Sequence, residues 1–216
     1  MDPKKPLLFF VSTLLFITFV LFSYLVAKEV FARIDFDTTV RIQDHIPGKF
    51  DWPLSLLNIF GSVEVTSLVW LAIASFALIS KRFIMALTLC LFWVGLAIEV
   101  MGKILLFHPA PPFYFFRGES LAFPSSYIHT NYSYPSGHIY RTAFLITFFA
   151  ASLYLTKIKN RNLVLIAALG IFWVLMFVSR IHLGHHWLTD VIGGSLLGAS
   201  FGIIPAIANA GSAPEK

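Results

Sequence analysis

The sequence predicts an all-α, polytopic membrane protein, six transmembrane helices bundled as a single domain over residues 1–216. Three observations predict it. Hydrophobic residues make up 57% of the chain and charged residues 12%, where a soluble domain carries about 25% charged. The 16 Lys+Arg and 11 Asp+Glu fall in short segments between long uncharged ones. Several of those uncharged stretches are long enough to cross roughly 30 Å of hydrocarbon, which takes about 20 residues of helix. This composition excludes a disordered chain, a soluble enzyme domain and a nucleic-acid binder. The net charge of +5 reads as a membrane-orientation signal. A lone cysteine, Cys90, leaves no internal disulfide framework and no multi-cysteine metal site.

Residues 7–27 are uncharged over 21 positions and form the first span. It is expected to stay as an anchor, because a signal peptide's apolar region runs only about 7–15 residues. The triplet Leu25-Val26-Ala27 also lacks the small first residue of a cleavage site. The other spans are expected at 63–80, 83–103, 138–156, 162–180 and 187–208. The short turns Lys81-Arg82 and 157–161 hold five cations and no acid, and Lys4-Lys5 precede the first span. All three lie on one face of a six-span topology, so that face and both termini are expected to be cytoplasmic. The connections 28–62 and 104–137 then face outward. The first mixes both charge signs, and its stretch 53–60 (PLSLLNIF) suits a short interfacial helix. The second is rich in proline and aromatics, and Phe113 to Phe116 read as interfacial anchors.

Ionisable residues at the ends of spans are functional candidates in so apolar a chain, and here they gather at one level. Glu99 and Lys103 end the third span, His138 and Arg141 open the fourth, and Arg180 ends the fifth. His182, His186 and Asp190 lead into the sixth. His186 and Asp190 are four apart, which on a helix places them one turn apart on one face, with His182 on the same stripe. A carboxylate there can hold one ring nitrogen and leave the other as nucleophile or base. Pro135-Ser136-Gly137-His138 sets a hydroxyl and a glycine before a helix N-terminus, whose N–H groups and dipole suit an anion. With Lys103 and Arg180 close by, the set describes phosphoryl chemistry without a metal. Glu99 reads as an ion-pair partner for Lys103, and His108 and His129 as ordinary loop histidines. Arg141 reads equally as a site residue or as a snorkelling side chain.

These motifs resemble the type 2 phosphatidic acid phosphatase superfamily, whose signature has three parts. The second is Pro135-Ser136-Gly137-His138. The third is Ser179-Arg180, five residues, His186, three residues, Asp190, and it matches at every defined position. The first departs: Lys103 is followed after six residues by Ala110-Pro111, where the family has Arg-Pro. Losing such an arginine–phosphate contact costs about 1.5–3 kcal/mol. Arg117 is the first candidate to fill the gap and Arg141 the second. The resemblance implies six helices and a phosphatase in which His186 attacks phosphorus and Asp190 orients it. His138 would protonate the leaving oxygen and then activate water, while Lys103, Ser136, Gly137 and Arg180 hold the phosphoryl oxygens. It implies no metal and no cofactor, and a lipid phosphate or diphosphate as substrate: an isoprenoid diphosphate, phosphatidic acid or phosphatidylglycerol phosphate. Three alternatives stand beside it: a lipid phosphotransferase using the same intermediate, a metal hydrolase using His182, His186 and Asp190, and a degenerate binder or transporter.

Overall fold

The computed structural model describes residues 3–117, 132–156 and 160–211, and no strand occurs among them. Among the described residues nine α-helices form: α1 (Lys4–Ala27), α2 (Ala32–His45), α3 (Asp51–Gly61), α4 (Val63–Ile79), α5 (Phe83–Leu89), α6 (Leu91–Leu105), α7 (Gly137–Leu155), α8 (Asn160–His182) and α9 (Leu188–Gly211). The stretches α1, α5 with α6, α7, α8 and α9 are each long and apolar enough to cross a membrane. α3 and α4, bent by 42° where they join, meet that criterion only as a pair, and taken as one span they make a sixth. The chain is an integral membrane protein. The expected spans fall on these elements. The connection 28–62, expected as an outward segment with one short helix, is instead helical through most of its length.

The break between α5 and α6 falls at Cys90, and the Trp70 indole donates to the Leu89 carbonyl there at 2.9 Å. A backbone acceptor released by a kink is thereby satisfied inside an apolar bundle. The same region holds an aromatic cluster in which Phe92 meets Trp93, Phe144 and Tyr140.

At the centre, α7 lies against α9, with much of each helix buried. Gly194, Gly198 and Gly202 recur every four residues along α9 and let the backbones touch, as small residues do between membrane helices. A Cβ at Gly198 would lie 2.2 Å from the Tyr140 carbonyl and 2.8 Å from the Ala143 Cβ. Gly198→Val is therefore expected to destabilise the bundle by at least about 1–3 kcal/mol, the cost of overpacking. Because α7 and α9 carry the site at their ends, activity should fall with it. Gly170→Val on α8, where no atom lies within 4 Å, should leave the melting temperature in detergent unchanged. Equal melting temperatures for the two variants would refute this account of the α7–α9 contact.

Candidate active site

The ends of α6 and α8 and the starts of α7 and α9 meet at one end of the bundle, beside α2, α3 and the connection 106–117. His186 Nδ1 lies 3.1 Å from Asp190 Oδ2, and the Trp187 backbone N–H donates to the same oxygen at 3.0 Å. The pair is not a helix-face pair. Helix α8 stops at His182, Gly184 turns the chain at a φ of +69°, and α9 begins only at Leu188. Asp190 reaches back from the first turn of α9 to a backbone N–H just outside it, in the manner of a capping box. His186 is held from the other side, its own N–H and that of His185 both donating to the Arg180 carbonyl at 3.2 Å. Burial, and then the Arg180 cation, push the His186 pKa well below its ordinary value. The ring is thus neutral at pH 7: Nδ1–H is given to Asp190 and the Nε2 lone pair is left for chemistry.

His182 does not share that stripe. Its Nε2 lies 2.7 Å from Asp51 Oδ1, so its ring serves α3. Among the described residues, no group of three His, Cys, Asp or Glu side chains is arranged to hold a metal ion.

The second motif caps α7. Ser136 precedes the helix, its N–H donates to the Asp190 carbonyl at 3.0 Å, and its buried hydroxyl has no hydrogen-bond partner among the described residues. Glu99 packs against Gly137 so closely that a Cβ there would lie 2.0 Å from Oε1. That carboxylate accepts from Lys103 Nζ at 2.6 Å and from Arg141 Nη1 at 3.2 Å. The Glu99–Lys103 pair is the expected one; Arg141 joins it. Arg141 is buried rather than snorkelling, and its Nε and Nη2 donate to the Gly61 carbonyl at 3.2 and 3.1 Å. Arg180 Nη1 donates to Asn58 Oδ1 at 2.6 Å.

Arg117 lies on a segment latched to the His186 loop. Its N–H donates to the Leu183 carbonyl at 3.1 Å, and Gln43 Nε2 donates to the carbonyls of Phe115 and His182 at 2.7 and 2.8 Å. Its guanidinium donates to the Gln43 carbonyl at 2.9 Å. Of the aromatic run, Phe113, Tyr114 and Phe116 are exposed. Phe115 is buried, and its ring lies 5.9 Å from Trp187. His129 lies outside the described residues.

His108 is no ordinary loop histidine. It is buried, with Nε2 3.1 Å from Thr189 Oγ1 and 3.4 Å from Asp190 Oδ1. Asp35 of α2 accepts from the Thr189 N–H at 2.9 Å and from its hydroxyl at 2.8 Å. Burial raises the Asp35 pKa to about 6. Asp35, Asp51, Asn58 and His108 are the contributors that sequence reasoning missed. One signal was available: Asp35, Thr39 and Gln43 recur every four residues, and all three are buried.

The sequence model of the PAP2 superfamily matches residues 83–209. An undecaprenyl-diphosphatase of Sulfolobus acidocaldarius is 36% identical over 150 residues, 68% of this chain and 66% of that protein. Phosphatidylglycerophosphatase B of Bacillus subtilis is 38% identical over 72 residues, 32% of this chain and 35% of that protein. The matched stretches thus span less than two thirds of either relative. The crystal structure of a transmembrane PAP2-type phosphatidylglycerolphosphate phosphatase from Bacillus subtilis superposes with a TM-score of 0.69 at 18% identity. It covers 90% of this chain and 93% of that one, a likeness of fold.

Proposed function

Because the chain belongs to the PAP2 superfamily, we propose that it is a membrane phosphatase hydrolysing a lipid phosphate or diphosphate through a phosphohistidine, without a metal. The observation that carries the reading is the buried His186–Asp190 pair at 3.1 Å beside an unpartnered Ser136 hydroxyl. His186 Nε2 attacks phosphorus, the bond to the lipid oxygen breaks, and that oxygen takes its proton from His138. Asp190 stabilises the charge that develops on the His186 ring. His138 then takes a proton from water, the hydroxide oxygen bonds to phosphorus, and the P–N bond breaks to free phosphate. Lys103, Ser136, the Gly137 N–H, Arg180 and Arg117 hold the non-bridging oxygens, stabilisation that acts most on the transition state. Lys103 leaves Glu99 in part to do so.

The cation-rich turns favour placing the site on the outer membrane face, with both termini cytoplasmic. The relatives' names favour an isoprenoid diphosphate or phosphatidylglycerol phosphate over other lipids. Purified protein in detergent with EDTA is expected to release phosphate from undecaprenyl diphosphate or phosphatidylglycerol phosphate. Arg117→Ala should reduce turnover by about 10-fold or more, the loss of one charge-assisted contact, whereas Lys28→Ala should leave it unchanged. Release abolished by EDTA would overturn the metal-free mechanism, and equal activity of the two variants would remove Arg117 from the site.

A further inference from the structure

We infer that His108, seated between Asp35 and Asp190, is a positioning residue that tunes the nucleophilic His186 through Asp190. The inference deepens the phosphatase reading, and its kinetic arm rests on that reading. Asp190 is fully buried, and a buried carboxylate needs hydrogen-bond partners to stay ionised. One oxygen, Oδ2, is taken by His186 and the Trp187 N–H. The other, Oδ1, faces His108 Nε2 at 3.4 Å.

The proton on that nitrogen follows from its neighbours. With Asp35 ionised, the single hydroxyl proton of Thr189 goes to Asp35 Oδ2 at 2.8 Å. Thr189 Oγ1 is then an acceptor, and His108 Nε2, 3.1 Å away, must be the donor. That N–H is given to Thr189, while Asp190 Oδ1 and Asp35 Oδ2 stand 3.4 and 3.9 Å from the same nitrogen. His108 thus stands against one oxygen of Asp190 while His186 engages the other. Its own place is set by its backbone carbonyl, which accepts from the Ser133 N–H and hydroxyl at 3.0 and 3.2 Å. The Tyr134 ring lies edge-on to the imidazole at 6.1 Å.

A capping role for the two acids does not account for the histidine. Asp35 satisfies the Thr189 N–H and Asp190 the Trp187 N–H, so the first turn of α9 needs no imidazole. Asp35 and His108 also line a cavity of about 230 Å³ whose wall includes Ala110, the position where the family signature has arginine. The departure from the signature and His108 therefore share one pocket.

The test combines kinetics with a chemical readout of His186 that needs no substrate. His108→Ala is expected to lower kcat by about 10- to 100-fold and leave KM within about 2-fold. His108→Gln, whose amide N–H can stand for Nε2–H, should recover most of the loss. In an Asp190→Ala background, His108→Ala should add less than about 2-fold, because both act through one residue. In parallel, the rate at which diethyl pyrocarbonate modifies His186, followed by mass spectrometry, should fall in His108→Ala and in Asp35→Asn and recover in His108→Gln. A wild-type kcat and modification rate in His108→Ala would overturn the inference, as would a loss that multiplies fully with that of Asp190→Ala. If the wild type releases no phosphate while the modification rates change as stated, the relay stands and the phosphatase reading falls.

Discussion

Replacing His186 with alanine is expected to remove phosphate release altogether, a loss of at least ~10⁴-fold in kcat, because it removes the nucleophile that forms the covalent intermediate. His138→Ala should behave differently. The general acid–base contribution it removes is worth roughly 10²–10⁴-fold, and it acts in both half-reactions. With the water-activating step slowed, ³²P from a labelled lipid phosphate should accumulate on the protein. The label should be lost in acid and stable in alkali, as a phosphorus–nitrogen bond is, and absent from His186→Ala. Label that withstands acid, or that persists in His186→Ala, would move the nucleophile to another residue. The expectation rests on the geometry of a single ring. Nδ1 is engaged by Asp190 at 3.1 Å, and the lowered pKa keeps Nε2 unprotonated at neutral pH.

Arg141→Met should be the most damaging substitution for stability. The guanidinium supplies two hydrogen bonds to the Gly61 carbonyl, where α3 ends and the chain bends into α4, and a third to Glu99. Removing it leaves Glu99 with Lys103 alone and strips the donors from a backbone carbonyl at the 42° bend. Breaking a buried ion pair from one side costs about 3–5 kcal/mol, visible as a large fall in melting temperature in detergent. Arg141→Lys should recover little, since an ammonium cannot make the forked contact to Gly61 while reaching Glu99. Arg141→Met with Glu99→Leu should be more stable than Arg141→Met alone, because the uncompensated carboxylate is gone. A melting temperature within a degree or two of wild type for Arg141→Met would show that the bend is held by apolar packing.

The membrane character and the helical spans were legible along the chain because the bilayer imposes them locally. Twenty apolar residues must become a helix in hydrocarbon, where backbone groups find no other partners. The candidate site was legible for a related reason: His138, His186, Asp190, Ser136 and Arg180 sit in two short motifs. Even there the local reading went too far, since four residues between His186 and Asp190 suggested one helix face, and the structure uses a turn and a helix cap. What supports these residues could not be read this way. Asp35, Asn58 and His108 are distant in sequence from the groups they hold, and single polar residues in amphipathic or loop segments look the same whether they face water or a buried carboxylate. Their partners are chosen when α2, α3 and the 106–117 connection pack over the open end of the bundle. The sequence by itself determined which stretches are apolar enough to cross a membrane and which side chains are candidates for phosphoryl chemistry. Only the tertiary structure decided how those side chains are charged and held, because burial and long-range hydrogen bonds belong to the assembled bundle and to no single segment of it.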